Sequence, residues 1–150
     1  MKGNLLLVDD EEMLVKTLAY TLQENCEKIL TAHNGLEALE VLKREPIHCI
    51  LCDINMPKMN GVELLKKVRE DNKKIPFIFY TGHGNKGLMI EAAKYGALDF
   101  LSKPHLEGLE EVVNLGLRQG LSPEDPPQES SFISEYQDLL KELGKSPGKA

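Results

Sequence analysis

The sequence predicts an α/β fold in which five parallel strands form one doubly wound sheet. Two observations predict it: five short apolar runs alternate with longer segments of helical period, and the runs are apolar almost throughout, without in-out alternation. Continuous apolarity is typical of strands covered on both faces, and parallel neighbours need a crossover helix between them. Five βα units of this kind suit the flavodoxin-like strand order 2-1-3-4-5.

The predicted strands and helices follow one another along the chain. The strands are residues 5–8, 28–32, 49–52, 77–80 and 99–101, of which the second has the weakest pattern. Stripes with i, i+3, i+4, i+7 spacing predict the first and last helices. These stripes are Val15, Leu18, Ala19 and Leu22, and Leu106, Leu109, Val113 and Leu117. Shorter helices are predicted at residues 36–44, 62–70 and 86–95.

The composition changes after the fifth βα unit. Residues 1–120 form the predicted domain, and residues 121–131 form a linker rich in Pro, Ser and acidic residues. Residues 132–144 predict a short amphipathic helix, followed by a flexible tail at 145–150. Because a helix of about a dozen residues is marginal alone, we expect it to dock on its own domain, on a second copy or on a partner.

The overall charge excludes some classes of partner. The formal net charge of −6 and the sequence pI near 5.3 lack the basic surplus that binding to nucleic acid requires. No apolar run approaches the roughly 20 residues needed to cross a bilayer, and the N-terminal segment lacks a secretory cleavage pattern. We expect a cytoplasmic protein that binds neither nucleic acid nor membrane.

Three cysteines include a C-x-x-C pair, Cys49 and Cys52, which elsewhere marks redox or metal sites. Here the pair lies in the third predicted strand, where residues three apart point to opposite faces of the sheet. We therefore expect these two thiols and Cys26 to be buried, reduced and structural.

Polar side chains follow four of the predicted strands. They are Asp9 and Asp10 after strand 1, Asp53 and Asn55 after strand 3, Thr81 at the end of strand 4 and Lys103 after strand 5. Each alone has an ordinary explanation as a helix cap, a turn residue or a solvated charge. In the predicted order, however, these strand ends converge at the switch point of the sheet, where ligands bind.

The convergence predicts phosphoryl chemistry. Neighbouring carboxylates raise one another's pKa unless a cation compensates, and Mg²⁺ prefers oxygen ligands. A carboxylate such as Asp53 can attack phosphorus and form an acyl phosphate. Thr81 can then donate a hydrogen bond to one phosphoryl oxygen, and Lys103 can pair with another.

The chain resembles the receiver domain of two-component response regulators over residues 3–119. The resemblance rests on four segments in order, each at a strand end: LLLVDDEE, CDINMPKMNGVELLKKVR, FIFYTG and ALDFLSKP. It implies a bacterial signalling switch, not an enzyme that turns over a separate substrate. A sensor histidine kinase or phosphotransfer protein would phosphorylate Asp53, and the output would control a downstream protein target or form a phosphorylation-dependent homodimer.

The resemblance also implies a role for each site residue. Asp10 would ligate Mg²⁺ and Asp9 would hold it through water, while Asp53 and the Asn55 carbonyl complete the protein ligands. Thr81 and Phe100 would form the switch pair, in which the hydroxyl moves toward the phosphoryl group and the ring follows inward. The Lys103–Pro104 bond would be cis. Gly82, His83 and Glu12 occupy positions that vary in the family and affect the lifetime of the phosphoryl group.

The residues argue against three other classes of protein. A flavodoxin-type module must cradle a phosphate in its first loop, which the DDEE segment would repel. An aspartyl-phosphate phosphatase needs a D-x-D nucleophile motif on the first strand, and VDDEEM lacks that spacing. A degenerate receiver would lack Asp53, Lys103 or the acidic pair. The tail leaves two options, a single-domain regulator or a fragment of a longer protein.

Overall fold

The computed structural model describes residues 2–71, 73–82, 86–103 and 107–122. Its five strands are β1 Asn4–Val8, β2 Lys28–Ala32, β3 Cys49–Cys52, β4 Phe77–Thr81 and β5 Asp99–Ser102. Its five helices are α1 Glu12–Leu22, α2 Gly35–Arg44, α3 Gly61–Glu70, α4 Lys86–Lys94 and α5 Leu109–Leu121. All strand pairs are parallel, in the order β2-β1-β3-β4-β5. The predicted fold class and strand order are confirmed.

The predicted elements are present, and where bounds were predicted most ends coincide with the prediction and the others differ by a single residue. Several elements include an end residue that is polar or glycine and therefore has no place in an apolar pattern, such as Asn4, Gly35 and Gly61. Asn4 pairs with Lys28 in the β1–β2 ladder, and α2 and α3 each begin at a glycine after an asparagine cap. In α3 the cap is a complete capping box, since Asn60 and Glu63 each bond the other's backbone N–H.

Burial differs between the centre and the edges of the sheet. Every residue of β1, β3 and β4 is buried, whereas β2 and β5 are partly exposed. The edge position of β2 explains why its sequence pattern was the weakest, because an edge strand is covered less completely by helices. The two faces of the sheet each carry a buried apolar cluster.

The cysteines behave as predicted. All three thiols are free and buried, and Cys49 and Cys52 belong to the clusters on opposite faces of the sheet. Burial raises the pKa of the Cys26 thiol to about 11, so this thiol stays protonated at neutral pH. The C-x-x-C spacing is therefore a consequence of a buried strand and not a redox motif.

One arginine, Arg69, joins two loops, the loop that follows α3 and the loop that follows α4. The Arg69 guanidinium donates hydrogen bonds to the carbonyl oxygens of Tyr95, Lys73 and Ile75 at 2.8, 3.0 and 2.8 Å, and more weakly to Gly96. Burial lowers the pKa of Arg69, but a guanidinium stays charged in proteins. Its planar fork is what allows one side chain to reach several carbonyls.

We expect Arg69→Ala to lower the free energy of unfolding by about 2 kcal/mol, because the partly buried carbonyl groups of Lys73 and Ile75 would lose a charged donor. Urea denaturation followed by circular dichroism measures the change. Arg69→Lys is the matched variant, since it keeps the charge but loses the fork, and it should recover less than half of the loss. Wild-type stability in Arg69→Ala would contradict this role.

The C-terminal predictions fall largely outside the described residues. Helix α5 ends at Leu121, one residue into the segment assigned to the linker. The rest of the predicted linker, the amphipathic helix and the tail lie beyond residue 122 and stay predictions, as does the contribution of Leu106. Within the described parts of the chain, each helix is too short or too polar to cross a bilayer.

Candidate functional site

Backbone hydrogen bonds place three charged residues at one edge of the sheet. Each backbone N–H donates to a backbone carbonyl oxygen on the neighbouring strand. Asp9 donates to Ala32 at 3.1 Å, Asp53 to Val8 at 2.9 Å and Lys103 to Thr81 at 3.0 Å. These bonds prolong the strand ladders beyond the strand ends. The predicted convergence of Asp9, Asp53 and Lys103 at the carboxyl edge is thereby confirmed.

Lys103 is the centre of the charge arrangement. Its Nζ lies 2.7 Å from Asp9 Oδ2, 3.2 Å from Asp53 Oδ2 and 3.3 Å from Glu11 Oε1, and its side chain is only 12% exposed. Burial lowers the pKa of Lys103, but the hydrogen bond to Asp9 and the charges of Asp53 and Asp9 outweigh it, so the pKa is raised overall. The ammonium is therefore charged throughout the physiological pH range.

Asp9 is held on both oxygens. Its Oδ1 accepts the N–H of Glu11 at 2.9 Å, and its Oδ2 accepts from Lys103. Burial raises the pKa of Asp9 and the charge of Asp53 adds to the increase, while Lys103 and the Glu11 N–H act in the opposite direction. The interpretation of Asp9 as a helix cap is wrong, because Glu11 is the N-cap residue of α1 and Asp9 bonds only the N–H of Glu11. Asp9 belongs instead to an acidic centre formed by Asp9, Asp10 and Asp53.

The acidic centre has a donor set suited to a divalent cation. Carboxylate oxygens of Asp9, Asp10 and Asp53 lie within 4.8 Å of one another. Among the described residues, Asp53 Oδ1 is buried and has no hydrogen-bond partner, which is costly for a charged oxygen unless a cation or donor approaches it. The three carboxylates offer only oxygen ligands, and Lys103 compensates only part of their negative charge, so the donor set fits Mg²⁺. Asn55 is exposed in the loop two residues after Asp53, and the role of its carbonyl stays a prediction.

The loop after β3 is shaped by a close backbone approach. The N–H of Gly61 donates to Ile54 at 2.8 Å, and a Cβ at Gly61 would lie 2.3 Å from the carbonyl oxygen of Asp53 and 2.7 Å from the Phe79 ring. Only glycine fits there. Sequence reasoning quoted this glycine inside a motif but assigned it no role.

The predicted switch residues occupy neighbouring strands. Thr81 is buried at the end of β4, and Phe100 is half-buried in β5. The Phe100 ring stacks on Phe79 with centroids 4.9 Å apart and planes inclined by 25°. One face of the Phe100 ring thus packs against the buried cluster that contains Phe79. The movement of Thr81 and Phe100 stays a prediction.

Glu11 is the charged site residue that sequence reasoning missed. Its sequence position indicates only an acid that favours the positive end of α1, yet its carboxylate accepts a hydrogen bond from Lys103 Nζ at 3.3 Å. Glu11 is the N-cap residue of α1 and makes no side-chain cap bond there, so its side chain is available for the ammonium. Its position directly after the acidic pair was the available signal. His83 and Pro104 lie outside the described residues, so the cis bond and the role of His83 are untested.

Gly82 directly follows Thr81, and space for a methyl group is available there. An added Cβ would lie 3.7 Å from Lys103 Cβ, an ordinary contact. We expect Gly82→Ala to raise the free energy of unfolding by about 0.5 kcal/mol, because alanine restricts the unfolded chain. Thermal denaturation measures this change, and a lower melting temperature would show that Gly82 needs its conformational freedom.

Comparisons with known proteins agree with this geometry. The sequence model of the family described as "Response regulator receiver domain" matches residues 5–114. The chain is 37% identical over 125 residues to a "Chemotaxis protein CheY homolog" of Campylobacter jejuni, covering 77% of this chain and 96% of that protein. It is 37% identical over 101 residues to the "Transcriptional regulatory protein ZraR" of Klebsiella oxytoca, covering 67% of this chain and 23% of that protein.

A solved structure gives the same result. The receiver domain of the Francisella response regulator 1452 superposes with a TM-score of 0.71 at 28% identity, covering 78% of this chain and 98% of that one. The chain belongs to the response regulator receiver family of two-component systems. It spans about a quarter of the length of ZraR and nearly all of the chemotaxis homolog.

Proposed function

We propose that this receiver is a phosphorylation-dependent switch in which Asp53 accepts the phosphoryl group. The observation that carries the proposal is the asymmetry of the Asp53 carboxylate. Lys103 holds Oδ2 at 3.2 Å, while Oδ1 is buried without a hydrogen-bond partner among the described residues. Lys103 holds one oxygen, while no described protein group competes with an incoming electrophile for the other.

The residues support a direct transfer. An Asp53 oxygen attacks phosphorus, the new O–P bond forms, and the bond from phosphorus to the donor's leaving group breaks. Lys103 already lies between Asp9 and Asp53, so it can move a short distance to pair with a phosphoryl oxygen. Thr81 supplies a hydroxyl at the end of β4. Mg²⁺ held by Asp9, Asp10, Asp53 and the Asn55 carbonyl would neutralise charge on the transferring oxygens.

The transfer would change the balance of charge that holds the site. A phosphoryl group adds about −1.5 to −2 charges, so Lys103 and Thr81 gain contacts by approaching it. The space that Thr81 leaves would then accept the Phe100 ring. The output is a change of the surface around β5 and its flanking helices.

The partners follow from the family and the charge. A sensor histidine kinase or phosphotransfer protein supplies the phosphoryl group, and a protein target or a second copy of the chain binds the switched surface. The net charge of −6 argues against direct binding to nucleic acid. The chain acts in the cytoplasm as a signalling switch that catalyses phosphotransfer from its donor to Asp53 and its own dephosphorylation, without turnover of a separate substrate.

The test is incubation with acetyl phosphate, with and without Mg²⁺, followed by intact mass spectrometry. We expect a magnesium-dependent gain of one phosphoryl group in the wild type and none in Asp53→Asn. Asp71→Asn is the matched control, since Asp71 is an exposed acid at the end of α3, and it should be phosphorylated like the wild type. Phosphorylation of Asp53→Asn at the wild-type level would overturn the assignment.

A further inference from the structure

A small cavity lies next to the acidic centre, between α1 and the ends of the central strands. Its volume is about 10 Å³, close to the room that one water molecule needs. Val15 and Leu18 of α1 form one wall, and Asp9, Asp53 and Tyr80 are the oxygen-bearing side chains among its lining. The cavity therefore combines the size and the polar groups that buried water requires.

Two of the lining residues carry buried oxygen atoms with no hydrogen-bond partner among the described residues. They are Asp53 Oδ1 and the hydroxyl oxygen of Tyr80. Tyr80 is only 2% exposed, and buried hydroxyl groups are almost always bonded, to protein or to ordered water. That the two residues which carry these atoms both line one water-sized cavity is the observation that requires an explanation.

Tyr80 has no part in the chemistry assigned so far. It directly precedes Thr81 on β4, and its side chain belongs to the apolar cluster that contains Leu18 and Leu51. Burial raises the pKa of the Tyr80 hydroxyl, and the positive charge of Lys103 opposes the increase. The hydroxyl thus stays protonated at neutral pH and can donate a hydrogen bond. It is also close enough to Lys103 for the charge of the ammonium to act on it.

We propose that this cavity binds one water molecule through which Tyr80 positions the Asp53 carboxylate. The Tyr80 hydroxyl donates to the water, and the water donates one hydrogen to Asp53 Oδ1 and the other to a carboxylate oxygen of Asp9. Three partners are the usual number for a buried water. Asp53 Oδ1 keeps a second lone pair, so the water restrains the carboxylate without occupying the lone pair that would bond to phosphorus.

The water itself does not depend on the proposed function, whereas its effect on phosphorylation rests on it. Tyr80→Phe removes the hydroxyl and keeps the ring, and Tyr20→Phe is the matched control because Tyr20 is 77% exposed. If the water is bound, Tyr80→Phe should lower the melting temperature. It should also slow phosphorylation by acetyl phosphate about five-fold, the equivalent of one hydrogen bond of about 1 kcal/mol. Tyr20→Phe should change neither quantity.

A high-resolution crystal structure of the full chain tests the water directly. We expect an ordered water within hydrogen-bond distance of the Tyr80 hydroxyl and Asp53 Oδ1. A dry cavity would overturn the proposal, as would a higher melting temperature in Tyr80→Phe, because removing an unbonded buried hydroxyl stabilises a protein. A bound water with a wild-type phosphorylation rate in Tyr80→Phe would overturn the positioning role. If the wild type accepts no phosphoryl group, the proposed function fails, while the crystal structure and melting temperatures still decide the water.

Discussion

Replacing Lys103 by Met is expected to lower the free energy of unfolding by about 3 to 5 kcal/mol at neutral pH in metal-free buffer, because the buried carboxylates of Asp9 and Asp53 would lose their shared cation. Methionine keeps most of the side-chain length and removes the charge. Denaturant unfolding measures the loss. Lys43→Met, at an exposed surface pair with Glu40, is the control and should change stability little.

The loss in Lys103→Met should depend on pH. Burial already raises the pKa of Asp9 above its ordinary value of 3.8, and Lys103 opposes that increase. Without Lys103 the pKa of Asp9 rises further, so protonation relieves the buried charge at a higher pH. We expect the stability difference between variant and wild type to shrink as the pH falls from neutral toward 3.8, and a difference that grows on acidification would contradict this origin.

Magnesium should partly replace the missing ammonium. If the three carboxylates bind Mg²⁺, adding it stabilises the folded state by mass action, and the gain should be larger in Lys103→Met than in the wild type. Phosphorylation of the variant should still be about 100-fold slower, since Lys103 would no longer meet the transferred oxygens. Equal magnesium stabilisation of both proteins would show that the ion and Lys103 do not share the same carboxylates.

Replacing Gly61 by Ala is expected to destabilise the protein by about 3 kcal/mol and to slow phosphorylation about 100-fold. The added Cβ would lie 2.3 Å from the Asp53 carbonyl oxygen, and backbone must shift to relieve that contact. The shift would move Asp53, the residue that we propose as the nucleophile.

Gly82→Ala is the matched control for Gly61→Ala, because both glycines border the acidic centre and only Gly61 lacks space for a methyl group. Denaturant unfolding and the phosphorylation rate, measured on folded protein, separate the two effects. A Gly61→Ala variant with wild-type stability and rate would show that the loop after β3 adapts without moving Asp53.

The fold could be predicted because its signals are local and repeated. Five apolar runs with helices between them specify a parallel sheet, and the rule that ligands bind at the carboxyl edge locates the site. This rule alone predicts that Asp9, Asp53 and Lys103 lie close together. Strand β2 was the weakest element because, at the edge, half of its residues need not be apolar.

Other site residues could not be predicted, because their roles depend on where side chains meet. Glu11 has the sequence position of a helix-dipole acid, and only the path of the chain before α1 brings it to Lys103. The constraint on Gly61 comes from the backbone of Asp53, eight positions earlier in the sequence. Tyr80 has the sequence pattern of a buried strand residue. Only the structure shows that it lines a cavity beside Asp53, so a role for its hydroxyl could not be predicted from the sequence.

The most direct measurement identifies the residue that carries the phosphoryl group. The protein is incubated with acetyl phosphate and Mg²⁺, then treated with sodium borohydride, which reduces an aspartyl phosphate to homoserine, and the product is mapped by tandem mass spectrometry. We predict homoserine at position 53 and not at Asp9 or Asp10. Homoserine at either of those two positions, or a phosphoryl group on a histidine with Asp53 unmodified, would contradict the proposal that Asp53 is the phosphoacceptor.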